Sequence, residues 1–248
     1  MLTEQRYEKI LALLEEKKSI TVSELTELLG ISESTARRDI TALSKAGRLK
    51  KVFGGAVLND NSHVMQEPTV AEKKELHRKE KVLIARQAAS IIDDSDFVYI
   101  DAGTTTGCML EFLTETKAVF VTNAVEHARK LAAQGNKVFL VGGELKGSTE
   151  AVIGSQAIEM LMRYHFTKGF FGTNGITRDA GFTTPDAGEA QVKRVALQQC
   201  SEKYILADSD KFGNVSAVTF ASYGSCQVFT DKIPAGYQEE ETNLFQCE

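Results

Sequence analysis

From residue 72 onward, short apolar segments alternate with longer stretches of helical periodicity, and no other feature constrains the fold as strongly. Strand candidates lie at 97–100, 118–121, 137–141, 168–171, 203–207 and 227–230, and helical patterns at 72–92, 105–115, 124–134, 154–163 and 186–200. A parallel return needs a crossover of a dozen or more residues, so this rhythm predicts βαβ units and a mainly parallel sheet. The 248 residues, 42% hydrophobic and 25% charged, fit one large or two modest globular domains. No run of about 18 apolar residues occurs, which excludes a membrane span. The charged start MLTEQRYEKI does not read as a signal peptide. Cys108, Cys200, Cys226 and Cys247 are scattered without a CxxC pair, as in a reduced cytoplasmic protein.

The first 58 residues follow a different rule. Tyr7, Ile10, Leu11, Leu13 and Leu14 recur at helical spacing and predict a helix over 3–17. Thr21-Val22-Ser23-Glu24 is a capping box that opens a second helix, with Leu25, Leu28 and Leu29 as its expected buried face. Gly30 suits a left-handed turn position, Ile31 can plug the core, and Ser32 is an N-cap for a third helix over 33–46. That helix should bury Ala36, Ile40 and Leu43 and expose Ser34, Thr35, Arg37, Arg38 and Thr41. Residues 47–57 (GRLKKVFGGAV) read as a basic hairpin.

Two short helices joined by a Gly turn form a helix-turn-helix, whose second helix offers its N-terminal residues to base edges in the major groove. Ser32, Ser34, Thr35, Arg37 and Arg38 are the residues expected there, with Arg48, Lys50 and Lys51 on a wing against the backbone or minor groove. Whether an arginine meets guanine or phosphate is open at this level. The plain alternative is a helix pair with a solvated basic face.

Charge distribution bears on this. The total is -5, which by itself argues against nucleic acid as a partner. Yet residues 34–58 carry six basic residues against Asp39 alone, while 59–248 carry 19 basic against 26 acidic. Such asymmetry points to a nucleic-acid-binding part attached to something else. We expect a DNA-binding domain at 1–58, a linker at 59–74, an α/β domain at 75–235 and an acidic tail at 236–248.

Within the larger domain, Asp101-Ala102-Gly103-Thr104-Thr105-Thr106-Gly107 follows a strand and opens a helix, where backbone amides and hydroxyls can hold an anion. It lacks a Walker lysine and GxGxxG spacing, which disfavours a nucleotide. Polar clusters after other strands (Thr122-Asn123, Gly142-Gly143-Glu144 and 172–175) should gather at the same sheet edge. Glu189 and Lys193 sit four apart on one helix, and spacing alone favours a surface ion pair over a pocket-lining pair. Lys211 lies in Asp208-Ser209-Asp210-Lys211-Phe212-Gly213, which also follows a strand. His63, His77, His127 and His165 form no metal-binding pattern, and no metal or cofactor is expected. Cys108, just inside the helix after the DAGTTTG turn, is expected to be a small buried residue before a reactive thiol.

The segment 32–57, SESTARRDITALSKAGRLKKVFGGAV, closely resembles the winged helix-turn-helix of the DeoR family of bacterial transcriptional regulators. The motifs DAGTTT, VTNA, GGELK, GTNGI, GFTTPD…E…K and ADSDKFG stand in the order of that family's sensor domain. The resemblance implies a fold like ribose-5-phosphate isomerase and CoA-transferases, and a phosphorylated-sugar effector. It places Asp101, Gly103, Thr104, Thr105, Thr106 and Lys193 at the effector site, with Asn123, Gly142, Gly143, Asn174, Glu189 and Lys211 as neighbours. FGTNGITRDAGFTTPDAGEAQVK is most similar to fructose-operon repressors, implying fructose 1-phosphate, operator DNA and a homodimer or homotetramer as partners. The alternatives are another phosphorylated metabolite, or an isomerase-like enzyme using Asp101, Glu189 and Lys193.

Overall fold

The computed structural model describes residues 3–17, 19–45, 48–52, 54–57, 70–114, 116–237 and 243–248. It divides into two units, 1–63 and 64–248. Gly47 and Phe53 of the predicted hairpin, residues 59–69 of the predicted linker (including His63) and 238–242 of the predicted tail lie outside the described residues.

The first unit runs α1 (Thr3–Lys17), β1 (Ser19–Thr21), α2 (Val22–Leu29), α3 (Glu33–Lys45), β2 (Lys50–Val52) and β3 (Gly55–Val57). Thr21 caps α2 through the reciprocal bonds of a capping box: its hydroxyl accepts from the Glu24 amide at 3.1 Å, and Glu24 accepts from the Thr21 amide at 2.8 Å. Gly30 ends the helix at φ +62°, a conformation that costs other residues about 1 kcal/mol or more. Ile10, Leu14, Val22, Leu25, Ala36, Ile40, Leu43 and Leu49 form the core. Leu28 departs from the predicted buried face and is 51% exposed. Val22, Leu25 and Leu29 supply the stripe toward that core instead. β3 pairs antiparallel with both β2 and the unforeseen β1, making the hairpin part of a three-stranded sheet.

Arg6 and Asp39 are buried together, with Arg6 Nη2 donating to Asp39 Oδ1 at 3.0 Å and Nε donating to Oδ2. The single carboxylate of the basic stretch 34–58 is therefore neutralised away from solvent. Removing either partner would strand the other in the core.

The second unit opens with α4 (Val70–Glu75) and α5 (Arg78–Ser90). The single helix expected over 72–92 is broken at His77, which adopts φ +52°. Then follow β4 (Phe97–Ile100), α6 (Thr104–Met109), β5 (Val119–Thr122), α7 (Val125–Ala133), β6 (Lys137–Leu140), β7 (Glu144–Lys146) and β8 (Ala151–Ile153). α8 (Ser155–Leu161), β9 (Phe166–Gly172), β10 (Gly175–Thr177), β11 (Gly181–Thr184), α9 (Ala187–Gln198), β12 (Cys200–Leu206), β13 (Val218–Ala221), β14 (Gln227–Thr230) and β15 (Leu244–Gln246) complete the order.

Seven strands form one parallel sheet in the order β15-β14-β12-β9-β4-β5-β6. Both faces are covered, as a parallel sheet requires. On one face Ile84, Ala88, Met109 and Leu131 of the helices pack on Val98, Phe120, Phe170, Tyr204 and Phe229. On the other, Ala157, Leu161, Val192 and Ala196 pack on Tyr99, Val121, Phe171, Ile205 and Val228. β10, β11 and β13 make a small antiparallel sheet, and β7 and β8 a hairpin. No helix of the described residues is long and apolar enough to cross a membrane.

The acidic tail expected at 236–248 is corrected in part. Leu244–Gln246 is the edge strand beside β14, with Leu244 and Cys247 buried. Leu244→Ala should cost about 2 kcal/mol of unfolding free energy by removing buried methyl groups. Urea denaturation measures this, and an unchanged midpoint would contradict the docking of this strand.

Candidate functional site

Ser32 caps α3, its Oγ accepting from the Thr35 amide at 3.2 Å and lying 2.9 Å from Ser34 Oγ and 2.8 Å from Thr35 Oγ1. Three hydroxyls thus cluster where α3 begins. Arg37 and Arg38 are exposed on the side opposite Ala36 and Ile40, as helical spacing demands. Arg37 Nε donates to Glu33 at 2.9 Å, an exposed i,i+4 pair worth only about 0.3–0.5 kcal/mol and so readily exchanged for another anion. Lys51 Nζ donates to Thr41 Oγ1 at 2.9 Å, tying the wing to α3. Arg48 is exposed; Lys50 lies on β2, and its side chain is outside the described residues.

In the second unit, chain order along the sheet reverses between β4 and β9: β4, β5 and β6 run one way, while β9, β12 and β14 run the other. Such a switch point opens a crevice beyond the carboxyl ends of the strands. A cleft of about 1330 Å³, counting its open mouth, lies there. Its floor comes from the loops after β4 (Ala102, Gly103, Thr104, Thr105) and β9 (Gly172, Thr173, Asn174).

Asp101 and Lys193 are the buried polar centre of the switch point, 1% and 4% exposed. Asp101 Oδ2 accepts from Lys193 Nζ and, at 3.1 Å, from the Gly172 amide; Lys193 Nζ also donates to the Gly172 carbonyl at 3.2 Å. Burial pushes the Asp101 carboxyl above the usual carboxylate range, against the pull of Lys193 and the Gly172 amide. The spacing argument for a Glu189–Lys193 surface pair is overturned. Both residues are buried, and Glu189 instead accepts from Lys146 at 2.9 Å and Thr149 at 2.7 Å.

Of the predicted effector residues, Gly103, Thr104, Thr105, Asn174, Glu189, Lys193 and Lys211 line the cleft. Asp101, Thr106 and Asn123 stand behind it. The Thr106 hydroxyl donates to the Asp101 carbonyl at 2.7 Å, and Asn123 Oδ1 accepts from the Ala102 amide at 2.9 Å and the Tyr99 hydroxyl at 3.0 Å. Gly142 and Gly143 do not line it. Gly143 holds φ +148° where a Cβ would come within 2.6 Å of the Ile153 carbonyl, a backbone requirement that explains the glycine without a ligand.

The cleft also contains residues no motif singled out: Lys73 and Lys74 on α4, Arg78 and Lys81 on α5, and Glu126, His127 and Lys130 on α7. Among the described residues its lining holds seven lysines and arginines against four glutamates. The signal was the basic density of AEKKELHRKEK at 71–81 inside an otherwise acidic domain. Glu126 accepts from Lys74 at 2.6 Å and pairs with Lys130 at 3.2 Å, and the hydrogen bond from Lys74 leads in lowering its carboxyl to about 2. Burial lowers the Lys81 ammonium, opposed by Asp208, a buried carboxylate with no hydrogen-bonding partner among the described residues. Burial raises the Cys108 thiol, which argues against a reactive thiolate.

The DeoR-like helix-turn-helix domain model matches residues 6–62, and the DeoR C terminal sensor domain model matches 76–232. This chain belongs to the DeoR family. A Bacillus subtilis relative described as the uncharacterized HTH-type transcriptional regulator FruR is 41% identical, covering 93% of this chain and 91% of that one. Lactose phosphotransferase system repressors of Streptococcus mutans and Staphylococcus aureus are 33% and 32% identical, covering 89% and 96% of this chain and 88% and 93% of theirs. These DeoR-family relatives are regulators. A solved ribose 5-phosphate isomerase A from Methanocaldococcus jannaschii superposes with a TM-score of 0.42 at 13% identity over 54% of each chain, and no residue role is carried across it.

Two predictions follow from these surfaces. Arg37→Ala should weaken binding to DNA selected from a random pool by about tenfold or more at fixed salt, with the melting temperature unchanged. An unaltered anisotropy titration would remove α3 from the interface. Burial lowers His127 from 6.5 to about 4, so the unfolded chain takes up its proton first on acidification. The His127 contribution to stability should fall by about 3 kcal/mol from near pH 6.5 down to near pH 4 and then level. His127→Gln should remove that fall from the pH dependence of urea unfolding, and parallel wild-type and variant profiles would contradict the assignment.

Proposed function

We propose that this chain is a cytoplasmic repressor of a sugar-metabolism operon, released from operator DNA by a phosphorylated sugar, with fructose 1-phosphate the specific expectation. The observation that carries the reading is the cationic cleft at the switch point, in a chain whose other unit exposes Arg37, Arg38 and Arg48 around a capped helix. A phosphate monoester bears nearly two negative charges at neutral pH and favours such a surplus of cations. The Thr104, Thr105 and Thr173 hydroxyls, Asn174 and the Glu189 carboxylate supply donors and acceptors suited to sugar hydroxyls. The names of the lactose phosphotransferase system repressors support the repressor assignment.

Coupling requires only that the sugar phosphate bind one conformation of the chain better and DNA the other. A homodimer or homotetramer supplies the repeated recognition helices that a two-fold operator needs. Fructose 1-phosphate at a hundred times its dissociation constant should stabilise the protein by about 2.7 kcal/mol, whereas fructose should leave it unchanged. It should also displace selected DNA in an anisotropy assay. A phosphorylated sugar other than fructose 1-phosphate giving the only shift would move the effector assignment. No shift with any member of a sugar-phosphate panel would overturn it. Turnover of ribose 5-phosphate or fructose 1-phosphate would establish the isomerase-like alternative.

A further inference from the structure

The turn of the β7–β8 hairpin, 147–150, holds a glutamate in a backbone conformation that suits glycine. The turn closes with the Glu150 amide donating to the Lys146 carbonyl at 2.8 Å, and Glu150 stands at φ +53°. Turn geometry calls for the left-handed conformation there, but it does not call for glutamate. Glycine adopts it without penalty, and asparagine more readily than glutamate. Among the described residues His77 is the only other non-glycine residue with positive φ. Both strained positions belong to the cleft: Leu76 and Arg78 line it on either side of His77, and Glu150 lines it directly. A side chain kept where the backbone disfavours it points to a role for that side chain.

Charge pairing sets Glu150 apart as well. Of the other glutamates lining the cleft, Glu111 lies 3.9 Å from Arg78, Glu126 is held by Lys74 and Lys130, and Glu189 accepts from Lys146 and Thr149. Glu150 is exposed and has neither a cation nor a hydrogen-bond donor for its carboxylate among the described residues. Its platform is nevertheless fixed. Lys146 pairs with Asp186 at the start of α9 at 3.1 Å, and the Val152 amide donates to the Asn123 carbonyl at 2.7 Å. We infer that Glu150 is a specificity-determining residue for the effector, accepting from sugar hydroxyls and excluding ligands with a second anionic group. This rests on the reading of the cleft as a sugar-phosphate site. An ionised carboxylate can only accept, so it suits a hydroxylated end and repels a second phosphate or a sugar acid. With the cations of α4 and α5 to take one phosphate, the class selected is a sugar monophosphate whose hydroxyl-bearing end meets the hairpin.

Calorimetric titration of the full chain with fructose 1-phosphate, fructose 1,6-bisphosphate and inorganic phosphate tests it. The wild type should prefer fructose 1-phosphate to the bisphosphate by about tenfold or more. Glu150→Gln keeps the shape and removes the charge. It should weaken fructose 1-phosphate by about tenfold, strengthen the bisphosphate and leave inorganic phosphate no weaker. Glu150→Gly should lose the same preference while raising the melting temperature by about 3 °C, because glycine relieves the strain. A wild-type chain that binds neither sugar phosphate would overturn the cleft reading and this inference together. An unchanged preference in Glu150→Gln, or equal weakening of all three ligands, would overturn the Glu150 assignment alone. A Glu150→Gly chain no more stable than the wild type would overturn the strain argument for it.

Discussion

The Asp101 carboxylate, held between Lys193 and the Gly172 amide, organises the larger unit. It follows β4, its backbone amide bonds to the Phe170 carbonyl of β9, and its side chain reaches α9 through Lys193. One charged pair thus joins the two strands between which the chain order reverses to the helix laid across them. An ion pair this deeply buried is tolerable only when each member has further polar partners, and the Gly172 carbonyl and amide provide them. These bonds tie the end of β4 to the end of β9, and the residues that follow both strands line the cleft. Asn123 and Thr106 extend the same scaffold, fastening the DAGTTT turn from behind through backbone bonds. Asp101, Thr106 and Asn123 thus brace the site from behind its lining, while Lys193 and Gly172 both brace it and face its interior.

Cleft and chain connectivity are linked through α4 and α5. Lys73 and Lys74 on α4 line the cleft, and α4 is the first described element after the helix-turn-helix unit in chain order. The break between the two helices is held by His77, whose Nε2 lies 3.0 Å from Asp210 in the ADSDKFG loop. An anion gripped by α4 and α5 on one side and by the β4 and β9 loops on the other would favour one arrangement of that segment, and differential affinity is all that population shift requires. The opposite charge of the two parts of the chain fits the same division of labour. In the proposed repressor a basic patch around α3 would meet DNA while the acidic remainder discourages nonspecific adhesion.

Much of this was legible in the sequence because it depends on local rules. The capping box at Thr21, the glycine turn at Gly30 and the α3 spacing each follow from a few consecutive residues, and the βαβ rhythm follows from apolar runs separated by crossover helices. The unread parts depend on distant partners or weak signals. Glu189 and Lys193 suggested each other by spacing, but Lys146 and Asp101, 43 and 92 residues away, offered better geometry. Leu244–Gln246 is three residues long and follows an acidic run, so nothing local announced an edge strand. His77 broke a helix with neither Gly nor Pro to mark the place. The lysines of α4 and α5 belong to no motif, and only their density within an acidic domain set them apart.

The central claim, that an anion in the switch-point cleft and DNA on α3 compete through the chain's conformation, has a thermodynamic signature that no simple blocking of either surface by impurities reproduces. Linkage demands that the factor by which a sugar phosphate weakens DNA binding equal the factor by which DNA weakens sugar-phosphate binding. Calorimetric titration of fructose 1-phosphate into the free protein and into its complex with selected DNA measures one factor, and titration of the DNA with and without saturating fructose 1-phosphate measures the other. The account predicts equal factors, of about fivefold or more. Identical sugar-phosphate affinity with and without DNA would contradict it.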